Sequence, residues 1–386
     1  KKLAQEVHAV ATGPLTGLLI RGDATRGMAL LATRKEMVIR CCYADPPYNT
    51  GGDQFPYVDG MPHARWLSFM EQQLVAVEQV CQDGVVMLSI GDHEAPRLQL
   101  LLQEIFGESQ CFGPIIVQVN KGGRDYLPVA KTHEHLLGAA MGGRPALNEL
   151  PKENSVFRYH DALGGWDERE LRNRNPKFHR ENRPNLYYPM FVDAAHPDAN
   201  GHCIVSVEER PGWATVWPLN AKGQSSVWRW GRPKVAAALV TNDVTRSQVV
   251  ARKTRNGKFN IYEKLRKTTT KAKSIWDDSS VRTEQGSIEL RALFGGAPFP
   301  HPKPRALVER CIQLGSITGE WILDCFGGSG TTGDAAISLE RKGLGGRPVI
   351  LVEHGAQFDR VLKPRLMKVA YSGTWVDGRP AVPEPV

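Results

Sequence analysis

The stretch ILDCFGGSGTTGDAA, residues 322–336, decides the fold. An apolar run ends at Asp324, and Gly327, Gly328 and Gly330 follow, where backbone can approach a ligand closely. A helical pattern begins directly after them. Gly328, Gly330 and Gly333 also satisfy G-x-G-x-x-G, the dinucleotide fingerprint of a strand–turn–helix unit. About twenty residues on, the strand VILVE ends in Glu353, an acid suited to ribose hydroxyls. By itself this half of the chain permits a nicotinamide cofactor or S-adenosylmethionine.

Around this unit the last third alternates helix and strand. RALVERCIQLG and GTTGDAAISLERKG read as helices, RPVILVE as a strand, and FDRVLKPRLMKVAY as a final helix. The first third has the same alternation. LTGLLIRGD (15–23), MVIRCCYAD (37–45) and DGVVMLSIGD (83–92) read as strands; ARWLSFMEQQLVAVEQV (64–80) and EAPRLQLLLQEIFG (94–107) read as helices. Strands spaced by helices predict an α/β, doubly wound parallel sheet. The middle differs: it is rich in Arg, Asn, Pro and Trp, with short irregular apolar runs. The expected organisation is a catalytic half over residues 1–150, an insertion over 151–290, and a cofactor-binding half over 291–386.

The second signature is ADPPYNTGG, with Asp45, Pro46, Pro47 and Tyr48 following a strand. A loop there opens at the carboxyl end of a parallel sheet, where such folds place their sites. Its chemistry suits an amino nitrogen on a base. The lone pair of adenine N6 is delocalised into the ring, so the nitrogen is a poor nucleophile. The Asp45 carboxylate and the Pro46 carbonyl can both accept N6–H hydrogen bonds, localising that lone pair toward an electrophilic methyl group. The two prolines stiffen the loop, and Tyr48 offers an aromatic face to a base taken out of its stack. Hydride transfer has no use for this loop, so DPPY decides against a dehydrogenase.

Charge locates a third feature. The formal net charge of the 386 residues is +8, and residues 151–290 hold 24 Lys/Arg against 16 Asp/Glu, which accounts for all of it. Residues 246–273 concentrate it further, with ten Lys/Arg and one acid, Glu263. A basic middle between neutral flanks predicts a polyanion-binding module, with Arg246, Arg252, Lys253, Arg255 and Lys258 expected on phosphates. No apolar run approaches the ~18 residues that would span a membrane. Seven cysteines without C-x-x-C spacing predict a reduced, cytoplasmic protein without a zinc site. The opening KKLAQEVHAV has neither an initial Met nor a signal-peptide core, and a partial chain is expected.

DPPYNTGG followed far downstream by DCFGGSGTTG resembles the beta-group amino DNA methyltransferases, in which the catalytic motif precedes the cofactor motif. More narrowly, SIGDHEAPRLQLLLQEIFGE, KTHEHLLGAAMG, RNPKFHRENRPNLYYP, LRALFGG, FPHPKPRALVERCI and ILVEHGAQFDRVLKPRL resemble the modification (Mod) subunit of type III restriction–modification systems, over most of residues 17–375. The resemblance implies a Rossmann-like S-adenosylmethionine-dependent methyltransferase fold with an inserted target-recognition domain. It implies methylation of adenine N6 in double-stranded DNA, with S-adenosylmethionine as methyl donor and no metal. A homodimer and a restriction (helicase and nuclease) subunit are the partners it implies, with no membrane.

By matching positions, Asp45, Pro46, Pro47 and Tyr48 form the catalytic loop. Phe326, Gly328 and Gly330 line the methionine part of the cofactor, with Asp324, Thr331 and Thr332 in the same loop. Glu353 holds the ribose, Asp23 contacts the cofactor adenine, and Lys303 and Pro304 flank the cofactor from the other side. Two positions depart from the pattern: Cys325 follows Asp324 where Phe or Pro is common, and Gly91 stands where a second acid is usual.

Other readings carry less. His133 and His135 flank Glu134, but no third metal ligand is apparent in sequence. Trp213, Trp217, Trp228 and Trp230 suit base stacking or a domain core equally. No Pro-Cys pair exists, against C5-cytosine chemistry. The alternatives kept are N4-cytosine methylation, an RNA substrate, and a non-catalytic DNA-recognition subunit.

Overall fold

A computed structural model describes residues 7–12, 15–34, 37–51, 59–123, 128–143, 147–152 and 156–382. The start of the KKLAQEVHAV segment and Gly52 of the catalytic string lie outside the described residues. The chain divides into two compact units, residues 1–150 with 271–386, and residues 151–270. Residues 271–290, expected with the insertion, therefore fold with the larger unit.

The larger unit is built on a nine-stranded sheet. Its elements are β1 (Val7–Thr12), β2 (Leu15–Arg21), α1 (Ala24–Leu31), β3 (Ile39–Ala44), α2 (His63–Val80), β4 (Val85–Ile90), α3 (Ala95–Phe106), β5 (Cys111–Gln118) and β6 (His133–Ala140). After the insertion come β7 (Ile275–Trp276), α4 (Thr283–Phe294), α5 (Arg305–Gly315), β8 (Trp321–Asp324), α6 (Thr331–Arg341), β9 (Val349–Glu353) and α7 (Lys363–Tyr371). The strand order is β1-β2-β9-β8-β3-β4-β6-β5-β7. The five strands from β2 to β4 run parallel, and β6 is antiparallel to both its neighbours. At its edges β1 folds back on β2 as a hairpin and β7 extends the sheet in parallel beside β5.

Both faces of this sheet are covered, which is why its central strands are mainly apolar and lack a regular polar alternation. Cys42 and Ala44 of β3, with Val86, Leu88 and Ile90 of β4, join a core that includes Trp66, Met70 and Leu74 of α2 and Leu98 of α3. Their neighbours Cys41, Tyr43, Val85 and Met87 point the other way, onto Val308, Cys311 and Ile312 of α5 and Ala335 and Ala336 of α6. The two-residue period of a strand thus feeds two separate cores.

The register places the site. β3 and β8 are parallel neighbours, with Cys41 opposite Ile322 and Cys42 opposite Leu323. From β3 the chain moves through α2 to β4 on one side, and from β8 through α6 to β9 on the other. A crevice opens where such crossovers diverge, at the carboxyl ends of the two strands. The loops leaving these ends are DPPY and the glycine loop.

The smaller unit has a five-stranded and a three-stranded antiparallel sheet. Trp228 lies in its core and donates from Nε1 to the Tyr188 carbonyl at 2.8 Å. Trp217 is exposed and packs on Tyr187, with ring centroids 5.0 Å apart. Of the four tryptophans read from sequence, Trp228 is therefore a core residue, and Trp217 presents a face to solvent.

Candidate active site

A cavity of about 1200 Å³ opens at the crevice in the larger unit. Asp45, Pro46, Pro47 and Tyr48 line it, as does every expected cofactor residue except Gly330 and Pro304. The catalytic loop is held from below. Trp66, fully buried in α2, donates from Nε1 to the Pro47 carbonyl at 2.8 Å. Asn49 takes the left-handed conformation, φ 58°. Its amide donates to Glu94 Oε1 at 2.7 Å and to the Met61 carbonyl at 2.9 Å, and accepts from the Met61 N–H at 2.6 Å. Glu94 is fully buried and also lies 2.6 Å from His63 Nδ1. A polar network with every member satisfied fixes a loop more firmly than prolines alone.

Asp45 is three-tenths exposed, and its Oδ1 is buried without an acceptable hydrogen bond, 3.3 Å from Lys303 Nζ. Burial pushes its carboxyl up to about 6, against the pull of the Lys303 ammonium. Lys303 also donates to Glu134 Oε2 at 2.7 Å and to the Tyr48 hydroxyl at 2.5 Å. Tyr48 donates in turn to Glu134 at 2.8 Å. Burial would raise the Glu134 carboxyl, but Lys303 outweighs it and holds it below its ordinary value. Lys303, expected beside the cofactor, lines the shared cavity, accepts from Thr331 Oγ1 at its carbonyl at 3.3 Å, and points its ammonium at the DPPY loop. Glu134 is a residue that sequence reasoning missed; its flanking histidines drew attention to the segment, but β6 runs antiparallel and brings Glu134 in from 86 positions away from Tyr48.

The departure at Gly91 has a physical reason. A Cβ at this position would lie 3.1 Å from Tyr48 Cδ2, so any side chain would press on the ring. His133 and His135 do meet a third potential ligand, Asp92, with His135 Nε2 at 2.7 Å and His133 Nε2 at 3.5 Å from Oδ1. Lys131 Nζ already lies 3.2 Å from the other oxygen, so a cation is in place on this carboxylate. The cluster reads as a brace at the cavity rim.

In the glycine loop, Gly328 (φ 49°) and Gly330 (φ 80°) both need the left-handed region that glycine adopts without strain. The Gly328 N–H donates to Glu353 Oε2 at 2.8 Å, and the Glu353 Oε1 accepts from Gly355 N–H at 2.6 Å and Gln357 Nε2 at 2.7 Å. Gly330 faces inward; a Cβ there would meet Leu362 at 3.3 Å. Asp324 is buried and serves the loop itself, accepting from Phe326 N–H at 3.0 Å and Thr332 Oγ1 at 2.5 Å. Its carboxyl is pushed up to about 7 by burial, with those hydrogen bonds opposing. Thr331 is engaged by Arg365 Nη1 at 2.9 Å. Arg365 is fully buried, pairs with Asp334 at 2.8 Å and reaches Ser329 Oγ at 3.2 Å, a brace that no sequence motif announced. Asp23 caps α1, accepting from the Arg26 N–H at 3.2 Å. Burial raises its carboxyl, but hydrogen bonds from Thr25 and Arg26 prevail and hold it below its ordinary value.

Replacing Gly328 by Val is expected to weaken cofactor binding at least tenfold by calorimetry and to lower the unfolding temperature modestly. At Gly328 the nearest atoms to a Cβ are 3.6 Å away, so the cost is conformational strain in the loop that carries the N–H to Glu353. Gly330→Val would instead collide with Leu362 and lower stability as well.

In the smaller unit the basic residues divide. Arg252 Nη1 donates to Glu168 Oε1 at 3.1 Å and to the Tyr159 hydroxyl at 2.8 Å, beside the fully buried His202. Lys264 and Arg266 both pair with Asp161, at 2.7 and 2.6 Å. Arg252, expected on phosphate, is thus part of an internal network. Lys253, Arg255 and Lys258 are exposed around the turn joining Val249–Lys253 to Phe259–Leu265. Arg246 is also exposed, 3.7 Å from Asp243.

A doubly wound sheet with an acid–Pro–Pro–aromatic loop beside a glycine loop in one cavity defines a group-transfer site for an amino nitrogen. Residues 39–359 match the model of the N6_N4_Mtase family, described as DNA methylase, and the chain belongs to this family. It is similar to the type II methyltransferase M.KpnI of Klebsiella pneumoniae, 29% identical over 344 residues, 86% of this chain and 79% of that protein. It is also similar to the type III restriction-modification enzyme EcoPI Mod subunit of Escherichia phage P1, 28% identical over 386 aligned positions, 87% of this chain. It spans only 57% of that subunit's length. Among solved structures, the cytosine-N4-specific PvuII DNA methyltransferase aligns over 92% of this chain and 87% of its own, with 12% identity and a TM-score of 0.46. Among the described residues, no helix is long and apolar enough to cross a membrane.

Proposed function

We propose that the chain is a site-specific DNA methyltransferase that methylates N6 of adenine with S-adenosylmethionine, acting as the modification component of a restriction–modification system. The observation that carries this reading is the cavity shared by the DPPY loop and the glycine loop. The residues present fit the cofactor: a glycine turn open at Gly328, an acid at Glu353 whose oxygens are already oriented by three donors, and Phe326 on the wall. When bound, S-adenosylmethionine supplies an electrophilic methyl group.

The protein's own part is to bind, orient and exclude water. Asp45 and the Pro46 carbonyl accept the amino hydrogens of the base, which concentrates the nitrogen lone pair. The ionised Asp45 also stabilises positive charge as it develops on that nitrogen. Tyr48 gives the extruded base a face to stack on. Lys253, Arg255, Lys258 and Arg246 are proposed phosphate contacts of the target-recognition unit, whose expected partner is double-stranded DNA. A second copy of the chain and a nuclease-bearing restriction subunit are the proposed protein partners, on the resemblance to type III modification subunits.

The test is transfer of labelled methyl groups to unmodified plasmid DNA, followed by digestion to nucleosides. N6-methyladenine is expected. N4-methylcytosine would assign the same chemistry to the other base, and label appearing in RNA or nowhere would overturn the reading.

A further inference from the structure

The catalytic carboxylate has a neighbour that the DPPY motif does not include. Lys303 lies just before α5, and Glu134 on β6, far apart in sequence from each other and from Asp45. Their side chains converge on one point. Glu134 Oε2 is 2.7 Å from Lys303 Nζ, Tyr48 donates to the same oxygen at 2.8 Å, and Asp45 Oδ1 is 3.3 Å from Lys303 Nζ without hydrogen-bond geometry. One ammonium therefore stands between two carboxylates, at 2.7 Å from Glu134 and at the longer distance of 3.3 Å from Asp45.

We propose that Lys303 and Glu134 are positioning residues for Asp45: Lys303 keeps the carboxylate ionised in a partly enclosed site, and Glu134 anchors the ammonium so that Asp45 stays open to the base. This inference rests on the assignment of Asp45 as the acceptor for an amino group.

The physical argument is one of competition. A carboxylate of low exposure is driven toward its neutral form, and a neutral carboxyl is a poorer acceptor for an amino hydrogen. A cation close by reverses that drive. A cation in full contact, however, would occupy the oxygens that the base needs and would oppose the positive charge developing on the nitrogen. Glu134 resolves the conflict by holding the ammonium at hydrogen-bond distance on its own side. Because Tyr48 is bonded to the same Glu134 oxygen, the ring and the ammonium are set by a single anchor.

The groups that face Asp45 act on it in opposite directions. Burial raises its carboxyl first, the Lys303 ammonium lowers it next by its charge and its proximity, and the Glu134 carboxylate raises it. Tyr43 on β3 and Asp324 at the end of β8 are also coupled to it. Lys131 acts on Glu134 from the cavity side. Lys303 itself is kept charged, since Asp45 and Glu134 together outweigh the burial that would discharge it.

The experiment follows the Asp45 carboxyl directly, by NMR of the full chain with 13C-labelled aspartate, the signal assigned by its loss in Asp45→Asn. Lys303→Met is expected to raise the Asp45 titration midpoint by about one to three units, the range for loss of an opposite charge at this distance. Glu134→Gln is expected to lower it, because it removes a like charge and frees the ammonium toward Asp45. Lys303→Arg should keep it near the wild-type value. S-adenosylmethionine affinity by calorimetry should be unchanged in Lys303→Met. In activity, a rise of one unit from about 6 halves the ionised fraction at pH 7 and is recovered at pH 9, so kcat should show a displaced acid limb.

Shifts of opposite sign in the two variants support the proposal, since general loosening of the site would not reverse sign. An unchanged Asp45 titration in both, or loss of cofactor affinity in Lys303→Met with the titration unmoved, overturns it and returns Lys303 to the cofactor. Should the wild-type protein transfer no methyl group, the proposed activity fails, and the titration still decides the electrostatic coupling.

Discussion

Asp45→Ala is expected to lower methyl transfer by at least 10²–10³-fold, the range for removing one preorganised group that stabilises charge in a transition state. S-adenosylmethionine binding should survive within about twofold, because the hydrogen bonds shaping the cofactor loop come from Glu353, Asp324 and Arg365 and not from Asp45. Steady-state assays with plasmid DNA and calorimetry with the cofactor separate the two effects. Equal loss of both would contradict the assigned role. The wild-type pH profile carries a matching signature. In the proposed role Asp45 acts as a carboxylate, and its carboxyl is pushed up to about 6, so kcat/KM should fall as pH drops through about 6. Below that pH the group is protonated and loses its strength as an acceptor. A profile flat down to pH 5 would remove Asp45 from the acceptor role.

The second large effect concerns the smaller unit. Replacing Lys253, Arg255 and Lys258 together with Ala is expected to weaken binding to all DNA sequences alike, on the order of 10- to 100-fold at low salt. It should also reduce the slope of log affinity against log salt by about three, one for each phosphate contact removed. These three side chains are exposed around one turn, and removing them should leave the unfolding temperature unchanged. Arg252 belongs to a different class despite its place in the same basic run. Arg252→Ala strips Glu168 and Tyr159 of a partner beside buried His202, so its main effect is expected on thermal stability. Fluorescence anisotropy across a salt series, with unfolding curves for each variant, checks both expectations. A triple variant with unchanged affinity and slope would make this turn a solvated surface or a dock for another protein.

Membership of the DNA methylase family rests on residues that are legible in a single line of sequence. Asp45 and Tyr48 are four residues long as a motif, and the glycine loop is a contiguous strand–turn–helix unit. Such local units read well because the backbone conformations they need, Pro-fixed or left-handed, are properties of the residues themselves. The basic run of residues 246–273 was equally visible, yet its chemistry was not. Charge counts do not say which cations already have partners, and Asp161 and Glu168 lie about a hundred positions from the residues they neutralise.

What the amino-acid sequence determined by itself was therefore the kind of chemistry: an α/β chain with an acceptor loop after one strand, a glycine turn after another, and a basic middle. Only the tertiary structure decided how these parts meet. Parallel pairing of β3 with β8 brings the two loops to one crevice although 277 positions separate Asp45 from Ile322. The antiparallel run of β6 carries Glu134 to Tyr48, and the segment before α5 brings the Lys303 ammonium to Asp45. Ion pairs and strand neighbours are chosen by burial and register across the whole fold, and neither has a local signature from which to read the partner.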